Sequence, residues 1–260
     1  MTLSSLTLVL GAWLIVAQTG DAITVEPGKQ LPQSVTLRVQ GDDGGTREVT
    51  VRYMLFTPQD YQADGEPWPL LLFLHGLGEC SDSDLDRVKI HGPAKLVESR
   101  PDFPFVLVTP QCPPPKGEMK DVPKAWQADQ LIQLLDHVAK QLNIDHSRVY
   151  VTGLSMGGYG TWRLVAAYLE RFAAAVPICG GGDPEKMADG LRRVPIWAFH
   201  GARDDVVPLA RSQEMVDAVR RAGGDVRLTV YPDVEHDSWV KTYDNEKVYD
   251  WLLSHRRPSR

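Results

Sequence analysis

In the stretch "SVTLRVQGDDGGTREVTVRYMLFTP", Val49, Val51, Tyr53 and Leu55 recur at every second position, with polar Thr50 and Arg52 between them. A period of two marks a strand with one buried face. The stretch therefore predicts two antiparallel strands joined by a polar, glycine-rich turn. Further along the pattern changes. "PLLLFLHG", "FVLVTPQ", "RVYVTG", "AAAVPICGG", "VPIWAFHG" and "VRLTVYPD" are short and almost continuously apolar, as strands buried on both faces of a parallel sheet are. Helical spacing appears between them. Leu131, Leu134, Leu135, Val138 and Leu142 fall on one face, as do Met215, Val216, Val219 and Ala222, a helix ended by Gly223-Gly224. Val248, Trp251 and Leu252 predict a last helix. Strands alternating with helices imply right-handed crossovers and a mostly parallel, doubly wound α/β sheet, here with an antiparallel start. No repeat or low-complexity linker divides it, and the proline-rich "PQCPPPKGEMKDVPKAW" reads as a long surface loop.

The N-terminus stands apart. Residues 6–17, "LTLVLGAWLIVA", carry no charge, and the first basic residue is Lys29. A run of about a dozen suits a signal-peptide core and falls short of the roughly 20 residues of a membrane span. "AQTGDA" offers cleavage after Thr19 or Ala22, although no basic segment precedes the run. Residues 1–22 are thus expected to be a signal peptide of a secreted or periplasmic protein with no stable membrane span. Residues 23–260 form a single domain. A formal net charge of -6 without a basic stripe argues against a nucleic-acid partner. Cys80, Cys112 and Cys179 are an odd number and lack the paired spacing of a zinc site. One bridge is open to them in an oxidising compartment; the plainer expectation is three separate, mostly buried thiols.

In doubly wound sheets ligands bind beyond the carboxyl ends of the strands, so the chemistry is sought there. Gly153-Leu154-Ser155-Met156-Gly157 sits where a strand meets a helix, the G-x-S-x-G arrangement that holds a serine on a sharp turn. A nucleophilic serine needs a base, and the base an orienting carboxylate, in the chain order Ser, Asp, His. "ARDDVVP" supplies Asp204 or Asp205 after one strand, and "VEHDSW" supplies His236 after the next. An oxyanion hole would use the amide of Met156 and that of Leu77, in the loop "FLHGLGEC".

The ordered set "FLHGLGE", "TPQCP", "YVTGLSMGGYGTW", "PICGGGDP", "WAFHGARDDVVP" and "HDSWVKTYDN" resembles serine esterases of the α/β-hydrolase superfamily. Within it the chain is similar to the phospholipase/carboxylesterase and polyhydroxybutyrate-depolymerase or feruloyl-esterase-like proteins. The resemblance implies an α/β-hydrolase fold, Ser155 as nucleophile, His236 as base and Asp204 as acid, with Leu77 again the second oxyanion donor. It implies no cofactor and no metal. Dienelactone hydrolases share the fold but use a cysteine nucleophile, so the serine in the elbow argues against that branch.

Only "GDPEKMADGLRR" separates two of the last strands, with no amphipathic hairpin to make a cap domain. An open cleft suits short-chain esters, or aryl and polysaccharide esters, as small-molecule or polymer-linked substrates. Trp126 and Trp239 are candidate substrate-binding residues, with core packing as the competing role. His75, His91 and His200 read as structural rather than metal-binding, and Glu79 as a solvated acid, with hydrogen bonds that orient the neighbouring oxyanion loop as its competing role. A serine peptidase, an acyl-thioesterase and a catalytically silent binding protein are the competing assignments.

Overall fold

The computed structural model describes residues 22–40, 45–115, 117 and 119–258. The leader core and residues 41–44 of the hairpin turn lie outside the described residues. The apolar runs form eight strands: β1 (Gln30–Gln40), β2 (Thr46–Phe56), β3 (Trp68–Leu74), β4 (Val106–Pro110), β5 (Ile144–Leu154), β6 (Ala174–Ile178), β7 (Ile196–Gly201) and β8 (Val226–Tyr231). They make one sheet in the order β1-β2-β4-β3-β5-β6-β7-β8. β2 pairs antiparallel with both β1 and β4, and β4, β3, β5, β6, β7 and β8 run parallel to one another.

The helices cover both faces, which is why the inner strands read as unbroken apolar runs. On one side lie α2 (Ala128–Gln141), α3 (Met156–Ala167), α4 (Pro184–Leu191) and α5 (Ala210–Arg221). Leu131, Leu134, Leu135 and Val138 of α2 and Met215, Val216 and Val219 of α5 are buried there against alternate strand residues. On the other side α1 (Gly92–Leu96), α6 (Trp239–Tyr243) and α7 (Glu246–Leu253) bury Ala94, Tyr243, Val248 and Trp251 over Leu71, Phe73 and Tyr150. Each such aliphatic side chain removed from water contributes about 1.5–3 kcal/mol before the cost of ordering it. α5 ends at Gly223, whose φ of +84° is easy for glycine alone.

Two expectations need correction. β8 is not buried on both faces: Val226 is buried, Arg227 is exposed and the rest are partly covered, because β8 is an edge strand. The proline-rich loop is not purely superficial either, since Cys112 and Trp126 are buried within it. Between β6 and β7 the chain makes the single eight-residue helix α4, which packs on α3 and α5. Because β3, β5, β7 and β8 point the same way, the segments leaving them share one rim.

Candidate active site

Ser155 lies between β5 and α3 with φ 51° and ψ -115°, a left-handed conformation rare for any residue with a side chain. Close packing enforces it. A Cβ on Gly157 would fall 1.9 Å from the carbonyl oxygen of Leu74, and one on Gly153 2.4 Å from that of Gly157. Glycine at both positions lets the backbone close beneath the serine. The Ser155 amide donates to the Ile178 carbonyl at 3.0 Å and meets the Cys179 sulfur at 3.3 Å.

His236, in the loop after β8, reaches Ser155 from one side and Asp204 from the other. Its Nε2 lies 3.0 Å from Ser155 Oγ, and its Nδ1 lies 2.8 Å from Asp204 Oδ2 and 3.0 Å from Oδ1. A carboxylate only accepts, so Nδ1 carries the proton, and Nε2 is left free to accept from the serine hydroxyl. The Asp204 side chain is wholly buried, whereas the neighbouring Asp205 is exposed. Of the two acids the sequence offered, Asp204 is the one that bonds His236.

Four donors converge on Asp204. The amides of Val206 and Val207 bond Oδ1 at 3.0 and 2.8 Å, and the other bonds come from His236 and from His200 Nε2, 3.1 Å from Oδ2. Burial alone would push this carboxyl up; the bonds from His200, His236 and Val207 outweigh it and hold the pKa well below the usual carboxylate range. His200 therefore does more than fill the core. It is fully buried, and its Nδ1 lies 2.7 Å from Ser212 Oγ. Its placement one residue before Gly201 in "FHGARDD" is the signal that could have marked it.

Leu77 begins a short helical turn, Leu77–Glu79, after β3, and Met156 begins α3. Amides in a first turn have no partner within their helix, so both are available to an oxyanion. Glu79 is not a solvated acid. It is 6% exposed and accepts the Gly76 amide at 2.8 Å, while its own carbonyl accepts from Gln111 Nε2 at 2.8 Å. It braces the loop that carries Leu77. His75 does the same from beneath: Nδ1 donates to the Gly76 carbonyl at 2.7 Å, and Nε2 accepts the Cys112 amide at 3.0 Å. Burial lowers its pKa to about 4, keeping it neutral.

The two tryptophans have different surroundings. Trp239 stands edge-on to the His236 ring, with centroids 5.2 Å apart, and contacts His91 at 5.5 Å. Trp126 is buried behind the Leu77 loop, donating from its indole to the His75 carbonyl at 3.3 Å and lining a cavity of about 1110 Å³ with Gln111 and Pro113. Among the described residues, one cluster brings three possible metal donors within 4.8 Å of one another, Cys179, Asp204 and His236. Two of them are bonded to each other, and burial pushes the Cys179 thiol up, so it stays protonated. The expectation of three separate thiols holds for Cys179; those of Cys80 and Cys112 meet.

Comparison with known proteins agrees with this architecture. A bifunctional acetylxylan esterase/xylanase from Neocallimastix patriciarum is 32% identical over 139 residues, 54% of this chain and 20% of that protein. A putative carboxymethylenebutenolidase from Escherichia coli is 33% identical over 120 residues, 41% of this chain and 44% of that protein. The chain thus spans less than half the length of these curated relatives. A thermostable esterase of known structure superposes with a TM-score of 0.65 at 32% identity, covering 86% of this chain and 63% of that one. The dienelactone hydrolase family model matches residues 117–250, more than half of the chain. Serine in the elbow was therefore no reason to set that branch aside: the chain belongs to the dienelactone hydrolase family of α/β-hydrolases, with Ser155 in its G-x-S-x-G turn.

Proposed function

We propose that the protein is a serine esterase that hydrolyses carboxylic esters through an acyl-enzyme. The observation that carries the reading is the unbroken hydrogen-bonded path from Ser155 Oγ through His236 to buried Asp204. His236 Nε2 takes the serine proton as Oγ attacks the ester carbonyl, and the amides of Met156 and Leu77 receive the oxyanion. Asp204 holds the imidazole in the required tautomer and stabilises the imidazolium that forms. His236 then protonates the leaving alcohol, and water repeats the sequence on the acyl-enzyme. No step calls for a metal or a cofactor.

The short β6–β7 connection supports an open cleft for short-chain, aryl or polysaccharide-linked esters. The acetylxylan esterase relative is consistent with that range. The apolar run at residues 6–17 supports export to the periplasm or the medium. The test is an ester panel, p-nitrophenyl acetate to longer acyl chains plus methyl ferulate, assayed with the wild type and Ser155→Ala. We expect short-chain or aryl activity that falls by about 10⁶ in kcat in the variant. Equal rates in both proteins, or a strict preference for long-chain esters at a lipid interface, would overturn the reading.

A further inference from the structure

β4 lies beside β3, so the segments that leave them emerge next to each other on the rim. Cys80 follows the short turn that begins with Leu77, and Cys112 follows β4 two residues after Pro110. Three hydrogen bonds tie the two segments together. The Ser81 amide donates to the Cys112 carbonyl at 3.3 Å, Gln111 Nε2 to the Glu79 carbonyl at 2.8 Å, and the Cys112 amide to His75 Nε2 at 3.0 Å. That backbone bond runs from the amide that follows Cys80 to the carbonyl of Cys112 itself, so the two cysteines are neighbours across it, and a disulfide asks for α-carbons about 4.4–6.8 Å apart. Both cysteines are free in this structure, Cys80 half-buried and Cys112 buried, and their thiols hydrogen-bond to each other.

We propose that Cys80 and Cys112 are a disulfide site, and that the bond fastens the loop carrying Leu77 to the end of β4. The oxidant is a disulfide-bearing thiol carrier: a thiol–disulfide oxidoreductase in an oxidising compartment, or oxidised glutathione in the test tube. The Cys80 thiolate attacks one sulfur of that disulfide, forming a mixed disulfide and expelling the first carrier thiolate. Cys112, as its thiolate, then attacks Cys80 Sγ and expels the second. Two cysteine thiols lose two electrons and two protons, and one disulfide becomes two thiols. The environment favours this order. The hydrogen bond from Cys112 lowers the Cys80 pKa, while the same contact together with burial pushes Cys112 up. Cys179 takes no part, being fully buried at the Ser155 amide.

The cross-link itself does not depend on the proposed esterase activity; only the meaning given to the fastened loop does. The test uses the full chain, equilibrated with oxidised glutathione, denatured in iodoacetamide and digested with trypsin. The expected product joins fragments 53–87 and 96–116, while the Cys179 fragment is alkylated. Oxidation should also raise the Tm of the wild type by about 5–10 °C and leave that of Cys80→Ser unmoved. Alkylation of both Cys80 and Cys112 after oxidation, a link to Cys179, or an unchanged wild-type Tm would overturn the proposal. Mass and melting are read without any ester, so failure here is distinct from failure of the proposed activity.

Discussion

Asp204→Asn changes one oxygen into an amide nitrogen and keeps the side chain's shape. Oδ1 can go on accepting from Val206 and Val207, which puts the new NH₂ in the place of Oδ2, against His236 Nδ1 and His200 Nε2, and leaves Nδ1 only its longer contact with the already shared Oδ1. An NH₂ cannot accept from Nδ1–H. The favourable response is for His236 to take the other tautomer, with Nδ1 bare and the proton on Nε2, 3.0 Å from Ser155 Oγ. The base then cannot accept the serine proton. Where the same exchange has been made in a Ser-His-Asp enzyme, kcat falls by about 10⁴, which is about 5.5 kcal/mol of lost transition-state stabilisation. KM should stay within about threefold, because no substrate contact is removed. The assay is steady-state hydrolysis of p-nitrophenyl acetate at pH 7.5, beside Asp205→Asn as a control that should retain nearly full activity. A loss below about tenfold in Asp204→Asn, or a larger loss in Asp205→Asn, would refute the assignment of the acid.

Two further outcomes follow from the bracing of the Leu77 loop. Glu79→Ala removes a buried carboxylate bond to the Gly76 amide, an interaction of about 1.5–3 kcal/mol. It should lower kcat by about 10–100-fold at unchanged KM, whereas Glu79→Gln, which keeps an acceptor oxygen, should recover most of it. Equal losses in the two variants would show that the loop does not depend on this bond. His75 carries a pH signature. Its pKa is about 4 in the folded chain against an ordinary histidine's 6.5, so the unfolded chain binds more protons between those values. Stability is thus fully present above pH 6.5 and falls by about 3 kcal/mol as pH drops towards 4. Urea unfolding of the wild type and His75→Gln from pH 4 to 8 would check this, the variant lacking that part of the slope.

How far the sequence could be read depended on the range of each contact. The faces of α2 and α5 were legible because helical burial repeats within a few residues. Ser155, Asp204 and His236 were legible because each follows a strand, and parallel strands deliver their ends to one rim. The choice between Asp204 and Asp205 was not local: it depends on which carboxylate the β7–β8 packing buries. Glu79 looked like a surface acid because charge predicts exposure, and only the fold brings the Gly76 amide and Gln111 around it. Cys80 and Cys112 meet because β4 inserts between β2 and β3. That strand order is a tertiary fact invisible to periodicity. β8 misled for a related reason, since an apolar run does not say whether its strand has a neighbour on both sides.

The backbone at Ser155 has one more implication. Holding a side chain at φ 51° and ψ -115° works against the fold by on the order of 1–3 kcal/mol. A glycine there would relax the turn and remove the proposed nucleophile together. Directed evolution that rewards heat resistance alone would therefore favour an inert protein over a working one. Any campaign to harden this scaffold has to screen for turnover in every round.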